Sequence, residues 1–276
     1  RLGQLEGRDD REKFLGLAYD VRFSKWSAGP RMALLSLAAT GDVLPLLGRY
    51  LRLGLHADIP REVSHLSGLV AERTADADAR AGALGNRATA LLMMGKLAAA
   101  LATLDSAAAA ATDPVPWRLQ AAEWRIALPA FGFAIDTTEV RSAHDELLAF
   151  ADSAAWWPRA VWHLALCEWR AGRATAGDRW LDSLARGATA NPLAAHLLPL
   201  ADAQRLARDS GAAAALDRSA VIARDAGDSI NLARGPLVRA LTYHARGTWL
   251  LQRGDSAGAD REWRWYENND LQGWPV

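Results

Sequence analysis

The sequence predicts an all-α fold, an α-solenoid of about five to six helix–turn–helix units, on three observations. Five glycines, Gly95, Gly132, Gly172, Gly211 and Gly254, stand 37, 40, 39 and 43 residues apart. A period near 40 is that of stacked helical hairpins. Ala and Leu supply 99 of the 276 residues and Val and Ile only 15, so a sheet has little to be built from. Half of the residues are apolar, enough for a continuous core in which each unit packs on its neighbours.

The elements follow from helix punctuation. Residues 1–78 read as an N-terminal cap and an irregular repeat, and residues 79–276 as one continuous run of repeats. Within the first segment, residues 9–26 form a capping helix whose charged start, Arg8-Asp9-Asp10-Arg11-Glu12-Lys13, gives the end of the stack a polar surface. Gly41-Asp42 turns the chain between helices over 31–40 and 43–53, and Ile59-Pro60 opens a helix to about Arg73. The repeats then run over residues 79–113 (closed by Pro114), 116–152, 158–192, 193–228 and 236–269. Pro at or near a helix start and Gly at its end are the expected punctuation. Pro129 and Gly132 disturb the end of the first helix in the second repeat.

Composition bounds the function. The 32 basic and 32 acidic side chains cancel, and with no basic run a nucleic-acid partner is not expected. The basic residues are 29 Arg and 3 Lys, a bias of the kind a GC-rich genome produces. Cys167 is alone, which excludes an intrachain disulfide and suits a small buried apolar residue. No apolar run reaches the roughly 20 residues of a membrane span, and the expected location is the cytoplasm, or the periplasm if a preceding segment spans a membrane. The start at Arg1 reads as a piece of a longer chain, and Trp274-Pro275-Val276 as its natural end.

Gly254-Asp255-Ser256-Ala257-Gly258 spells the G-x-S-x-G of a nucleophile elbow, which requires a preceding strand and a later histidine. The preceding segment is helix-like and the last histidine, His244, comes earlier. Gly254 is therefore read as ending one helix and Asp255 or Ser256 as capping the next. The histidines (His56, His65, His144, His163, His196, His244) are never three or four residues apart, so no metal is expected. Residues 76–87 fall short of a calcium loop because Arg87 stands where a bidentate Glu is needed. No cofactor loop is present, and the chain is read as non-enzymatic.

The 12 tryptophans recur at helical spacing: Trp117 with Trp124, Trp162 with Trp169, and Trp263 near Trp265. A gap of seven puts two rings on one helix face, where packing between helices is the plain role.

Small residues stand seven places before and five after three of the turn glycines: Ala88 and Ala100, Ala165 and Gly177, Gly247 and Ala259. Gly132 and Gly211 have larger residues there. These positions resemble the tetratricopeptide (TPR) family over about residues 79–270. The resemblance implies a right-handed superhelix in which two helices cross closely at the small residues. It also implies that each unit's first helix lines a concave groove. In that register Arg159, Trp162, Trp169, Arg170, Arg205, Arg208 and His244 line the groove, with Gln252 on the last unit. Arg beside Trp suits a carboxylate, so the implied partner is a protein or peptide, acidic or presenting a C-terminal carboxylate. The run Glu262-Trp263-Arg264-Trp265-Tyr266 through Pro275 is similar to the tails of helical-repeat regions in bacterial transcriptional activators and serine/threonine kinases, which implies a signalling role. The function expected is an interaction scaffold. The alternatives are a structural subunit of a larger assembly and a ligand-sensing regulatory region.

Overall fold

The structure, a computed structural model, describes Lys13 and residues 60–131, 133–225 and 236–268. The expectations for residues 9–26 (Lys13 apart), 31–53, Gly132 and the last eight residues lie outside these. Among the described residues every element is helical. They are α1 (Pro60–Arg73), α2 (Ala77–Met93), α3 (Leu97–Ala110), α4 (Val115–Ala127), a 3-10 turn (Leu128–Phe131), α5 (Thr137–Phe150), α6 (Trp157–Arg170), α7 (Ala174–Gly187), α8 (Pro192–Asp209), α9 (Ala212–Asp225), α10 (Pro236–Gln252) and α11 (Ser256–Asn268). The 3-10 turn lies at Pro129, where the sequence predicts the first helix of its repeat to be disturbed; proline cannot donate the bond that would continue α4. None of these helices is long and apolar enough to cross a membrane.

The described residues fall into two compact units, one ending at Arg118 and one beginning at Leu119. In the first, α2 packs against α1 on one side and α3 on the other. In the second, α6 pairs with α7, α8 with α9, and α10 with α11, and α8 also packs on α6 and on α10. Hairpins side by side, first helix against first helix, are the local pattern of a helical repeat.

Four of the five predicted turn glycines have left-handed backbone: Gly95 (φ 71°), Gly172 (φ 74°), Gly211 (φ 88°) and Gly254 (φ 80°). A residue with a Cβ is strained in that region. Three turns share one hydrogen-bond scheme. The glycine N–H donates to the carbonyl three residues back (Leu92, Trp169, Leu251), and the next N–H donates to the carbonyl five back (Leu91, Glu168 and Leu250, at 2.9, 2.9 and 3.0 Å). This double bond pattern satisfies the last carbonyls of α2, α6 and α10 and reverses the chain at a set angle. On the far side of the last turn, Gly258 N–H donates to Asp255 Oδ1 at 2.8 Å, so Asp255 caps α11 and Ser256 starts it. The G-x-S-x-G run is a helix–helix turn.

The small positions are buried: Ala88 and Ala100 have no exposure, Ala165 and Ala259 about none, and Gly177 and Gly247 are buried too. The two glycines have a different reason from the expected close helix crossing. A Cβ on Gly177 would lie within 3.0 Å of the Trp169 ring, and one on Gly247 within 3.0 Å of Trp263. The glycines leave a notch and an indole fills it. Gly187 receives Trp157 in the same way, so the antiparallel α6–α7 hairpin is clasped near both ends, and in the first unit Gly85 receives Trp117. An indole seated in a Cβ-less notch gains dispersion contact with the helix backbone there.

Three substitutions separate these roles. Gly247→Ala overpacks the Trp263 notch and is expected to destabilise by about 1–3 kcal/mol. Gly82→Ala, in α2 with nothing within 4 Å of the new Cβ, is expected to stabilise by about 0.4–1 kcal/mol. Ala165→Leu adds a larger side chain at a site 1% exposed and is expected to cost about 1–3 kcal/mol. Urea unfolding followed by circular dichroism reads all three, and equal midpoints for Gly247→Ala and Gly82→Ala would contradict the notch.

Candidate functional site

The candidate residues lie on three helices that pack side by side: Arg159, Trp162, Trp169 and Arg170 on α6, Arg205 and Arg208 on α8, and His244 on α10. Alternate packing of first helices brings them to one part of the second unit. Their surroundings differ from one to the next.

Arg159 holds a buried carboxylate. Its Nε donates to Glu123 Oε1 at 2.6 Å and its Nη2 to Glu123 Oε2. Glu123 is 3% exposed, so this planar two-bond pair joins α6 to α4 with little water around it. The guanidinium also lies 5.9 Å above the Trp156 ring. Trp162 is enclosed at 1% exposure. Its Nε1 donates to Gln204 Oε1 on α8 at 3.3 Å, and its ring meets His163 edge to face, 4.7 Å between centroids. Trp162 therefore packs the interior and does not line an open surface.

Trp169 is half-buried, with Nε1 donating to Asp178 Oδ1 at 3.1 Å. Arg208 lies 5.5 Å over that ring and donates to both Asp178 oxygens at 3.1 Å and to Asp209. These bonds, to Asp209 first and Asp178 second, push Arg208 well above the usual arginine value, and the same contact holds Asp209 below the carboxylate range. Arg170 donates through Nη1 to the Ile126 carbonyl at the end of α4. Arg205 is the loosest of the four arginines, 3.7 Å from Asp202 and 39% exposed in its side chain. His244 is half-buried, and its carbonyl accepts from Thr248 Oγ1.

The first-helix arginines thus meet carboxylates or carbonyls of their own chain. Several of the links span close to one repeat in sequence: Glu123 to Arg159 is 36 residues, Trp162 to Gln204 is 42, and Ile126 to Arg170 is 44. Positions about one helical turn from equivalence in successive repeats are linked.

The acids of these pairs were missed in the sequence. Glu168, 6% exposed, sits between His144 Nε2 at 2.8 Å and Arg173. Burial raises its pKa, and the Arg173 and His144 hydrogen bonds together outweigh that, so it lies below its ordinary value. Arg246 donates to Glu262 Oε1 (3.1 and 2.8 Å) and to Ser219 Oγ (3.0 Å), tying α10 to α11 and α9. One signal could have found them. Glu123-Trp124, Glu168-Trp169 and Glu262-Trp263 are all Glu-Trp pairs inside helices, where an acid beside a core aromatic is held near the interior.

Among the described residues no group of three His, Cys, Asp or Glu is arranged to hold a metal. Cys167 is buried, and burial and the neighbouring Glu168 push its thiol pKa up, the opposite of an activated nucleophile.

Arg159→Ala strands the Glu123 carboxylate in the interior and is expected to cost about 3–5 kcal/mol, read as a fall in urea midpoint. Glu168, lowered on folding, stabilises above its ordinary value of 4.5, and that contribution is lost as pH falls through its folded value. The midpoint difference between the native chain and Glu168→Gln should therefore shrink from about pH 6 to about pH 3. A constant difference would contradict the assignment.

The chain matches no protein-family model, and no curated protein and no solved structure is significantly similar to it.

Proposed function

We propose that this chain is a non-enzymatic interaction scaffold that takes a peptide or protein partner along its first helices. The observation that carries the reading is the side-by-side packing of α6, α8 and α10, which aligns Arg170, Arg205, Arg208 and His244 on adjacent helices. The fold that goes with it is a right-handed, TPR-like α-solenoid of about five to six units, working in the cytoplasm as part of a bacterial signalling protein. The partner is acidic or presents a C-terminal carboxylate. It competes best for Arg205, whose pairing is the longest and therefore the easiest to exchange.

Fluorescent peptides that are acidic, neutral or basic, each with a free or an amidated C-terminus, test this by anisotropy. Tighter binding of the acidic, free-ended peptides is expected. Arg205→Ala should weaken it at least about tenfold, since bonds to a charged group contribute roughly 1.5–3 kcal/mol, with little change in melting temperature. No preference among the peptides, or none lost in Arg205→Ala, would sink the reading. The enclosure of Trp162 favours the alternative of a permanent subunit in a larger assembly, since rings already committed to the interior leave a rigid face. Stable self-association in sedimentation, with no peptide preference, would favour that alternative.

A further inference from the structure

One buried titratable group, His163, stands apart from these pairs. It lies on α6 and is 3% exposed. Its Nδ1 is 2.8 Å from the Arg159 carbonyl. A carbonyl can only accept, so Nδ1 carries the proton and Nε2 holds a lone pair. That Nε2 is buried and has no hydrogen-bond partner among the described residues. A half-satisfied histidine in an interior is uncommon and calls for a reason.

The charges around it are unequal. From α4, Glu123 Oε1 lies 3.8 Å from Nδ1, but both of its oxygens already accept from Arg159. From α6 itself, Arg159 and Arg170 act on the imidazole as like charges. From α8, Gln204 faces the neighbouring Trp162 and is neutral. From α5, His144 is bound to Glu168, and from α7, Asp178 is bound to Trp169 and Arg208; both are a turn or more further along α6. A second proton on His163 would add a third cation beside one carboxylate and leave an N–H with nothing to accept it.

We propose that the seam between α4 and α6 is an acid-released latch, closed while His163 is neutral and opened when His163 takes up a proton. Closed, the seam is held by the Arg159–Glu123 pair and by the Arg170 bond to the Ile126 carbonyl. Open, the imidazolium reaches water, and Arg159, Arg170 and Glu123 are exposed with it. Burial, the largest influence, lowers the His163 pKa in the closed state. The open state therefore binds the proton more tightly, and the closed state loses stability as pH falls below the ordinary histidine value of 6.5. The latch does not depend on what the scaffold binds.

The chain carries its own reporter. Cys167, its single cysteine, lies one turn after His163 and is buried. Labelling with a dipyridyl disulfide, which reacts at acid pH, is measured on the folded chain and divided by the rate for the urea-unfolded chain at the same pH. The ratio removes the falling thiolate fraction. It is expected to rise about tenfold from about pH 7.5 to about pH 5.5 and to stay flat in His163→Asn, whose amide keeps a donor but cannot titrate. In parallel, hydrogen exchange of the native chain, corrected for intrinsic rates, should show α4 and α6 losing protection over the same range while α2 and α3 keep theirs. If His163→Asn does not fold, the exchange pattern decides alone. A flat ratio in the native chain, a rise that persists in His163→Asn, or a loss of protection shared by α2 and α3 would overturn the latch.

Discussion

A carboxylate taken out of water needs hydrogen-bond donors or an opposite charge beside it, and the second unit is arranged around two buried ones. Glu123 is met by Arg159 from α6, and Glu168, on α6 itself, by His144 from α5 and by Arg173 at the turn. Each pairing sets not only a distance but a register, because a planar guanidinium accepts a carboxylate in few orientations. Apolar contacts between Ala- and Leu-rich helices are permissive: a slide by one turn buries nearly the same area. The ion pairs remove that freedom. Buried pairs of this kind add little net stability over a well-packed apolar contact, so their contribution here is to choose one packing among several of similar energy.

Hairpin closure is the second constraint. Helices α2, α6 and α10 end with the same two backbone bonds around a left-handed glycine. The shared turn geometry closes each of these hairpins with local bonds alone. Side-chain hydrogen bonds, one of them an ion pair, then join the first helices of neighbouring repeats at separations near the repeat length.

Much of this was legible in the chain. The turn glycines could be read because a left-handed residue is demanded at a fixed place after each apolar helix, and Gly95, Gly172, Gly211 and Gly254 have that backbone. Ala88, Ala100, Ala165 and Ala259 could be placed inside because they keep a fixed offset from those turns. What escaped was what depends on pairing across helices. Gly85 and Gly187 lie mid-helix or at a helix end with no local signal, and their purpose is visible only beside Trp117 and Trp157. The bonds of Arg159 and Arg170 escaped because their partners, Glu123 and the Ile126 carbonyl, stand 36 and 44 positions away. A charged residue on a predicted first helix has the same sequence appearance whether it faces a ligand or an acid of the preceding repeat.

The fit of Trp263 into the Gly247 notch also bears on how such a chain can change over generations. A methyl at the glycine alone collides with the ring, and a smaller side chain at the tryptophan alone leaves a void. Either step taken singly passes through a weakened protein, whereas the two together, a larger notch residue with a smaller ring, restore the volume. Positions 247 and 263 are thus bound into one inherited unit, and the clasp is easier to keep or to lose whole than to alter by halves.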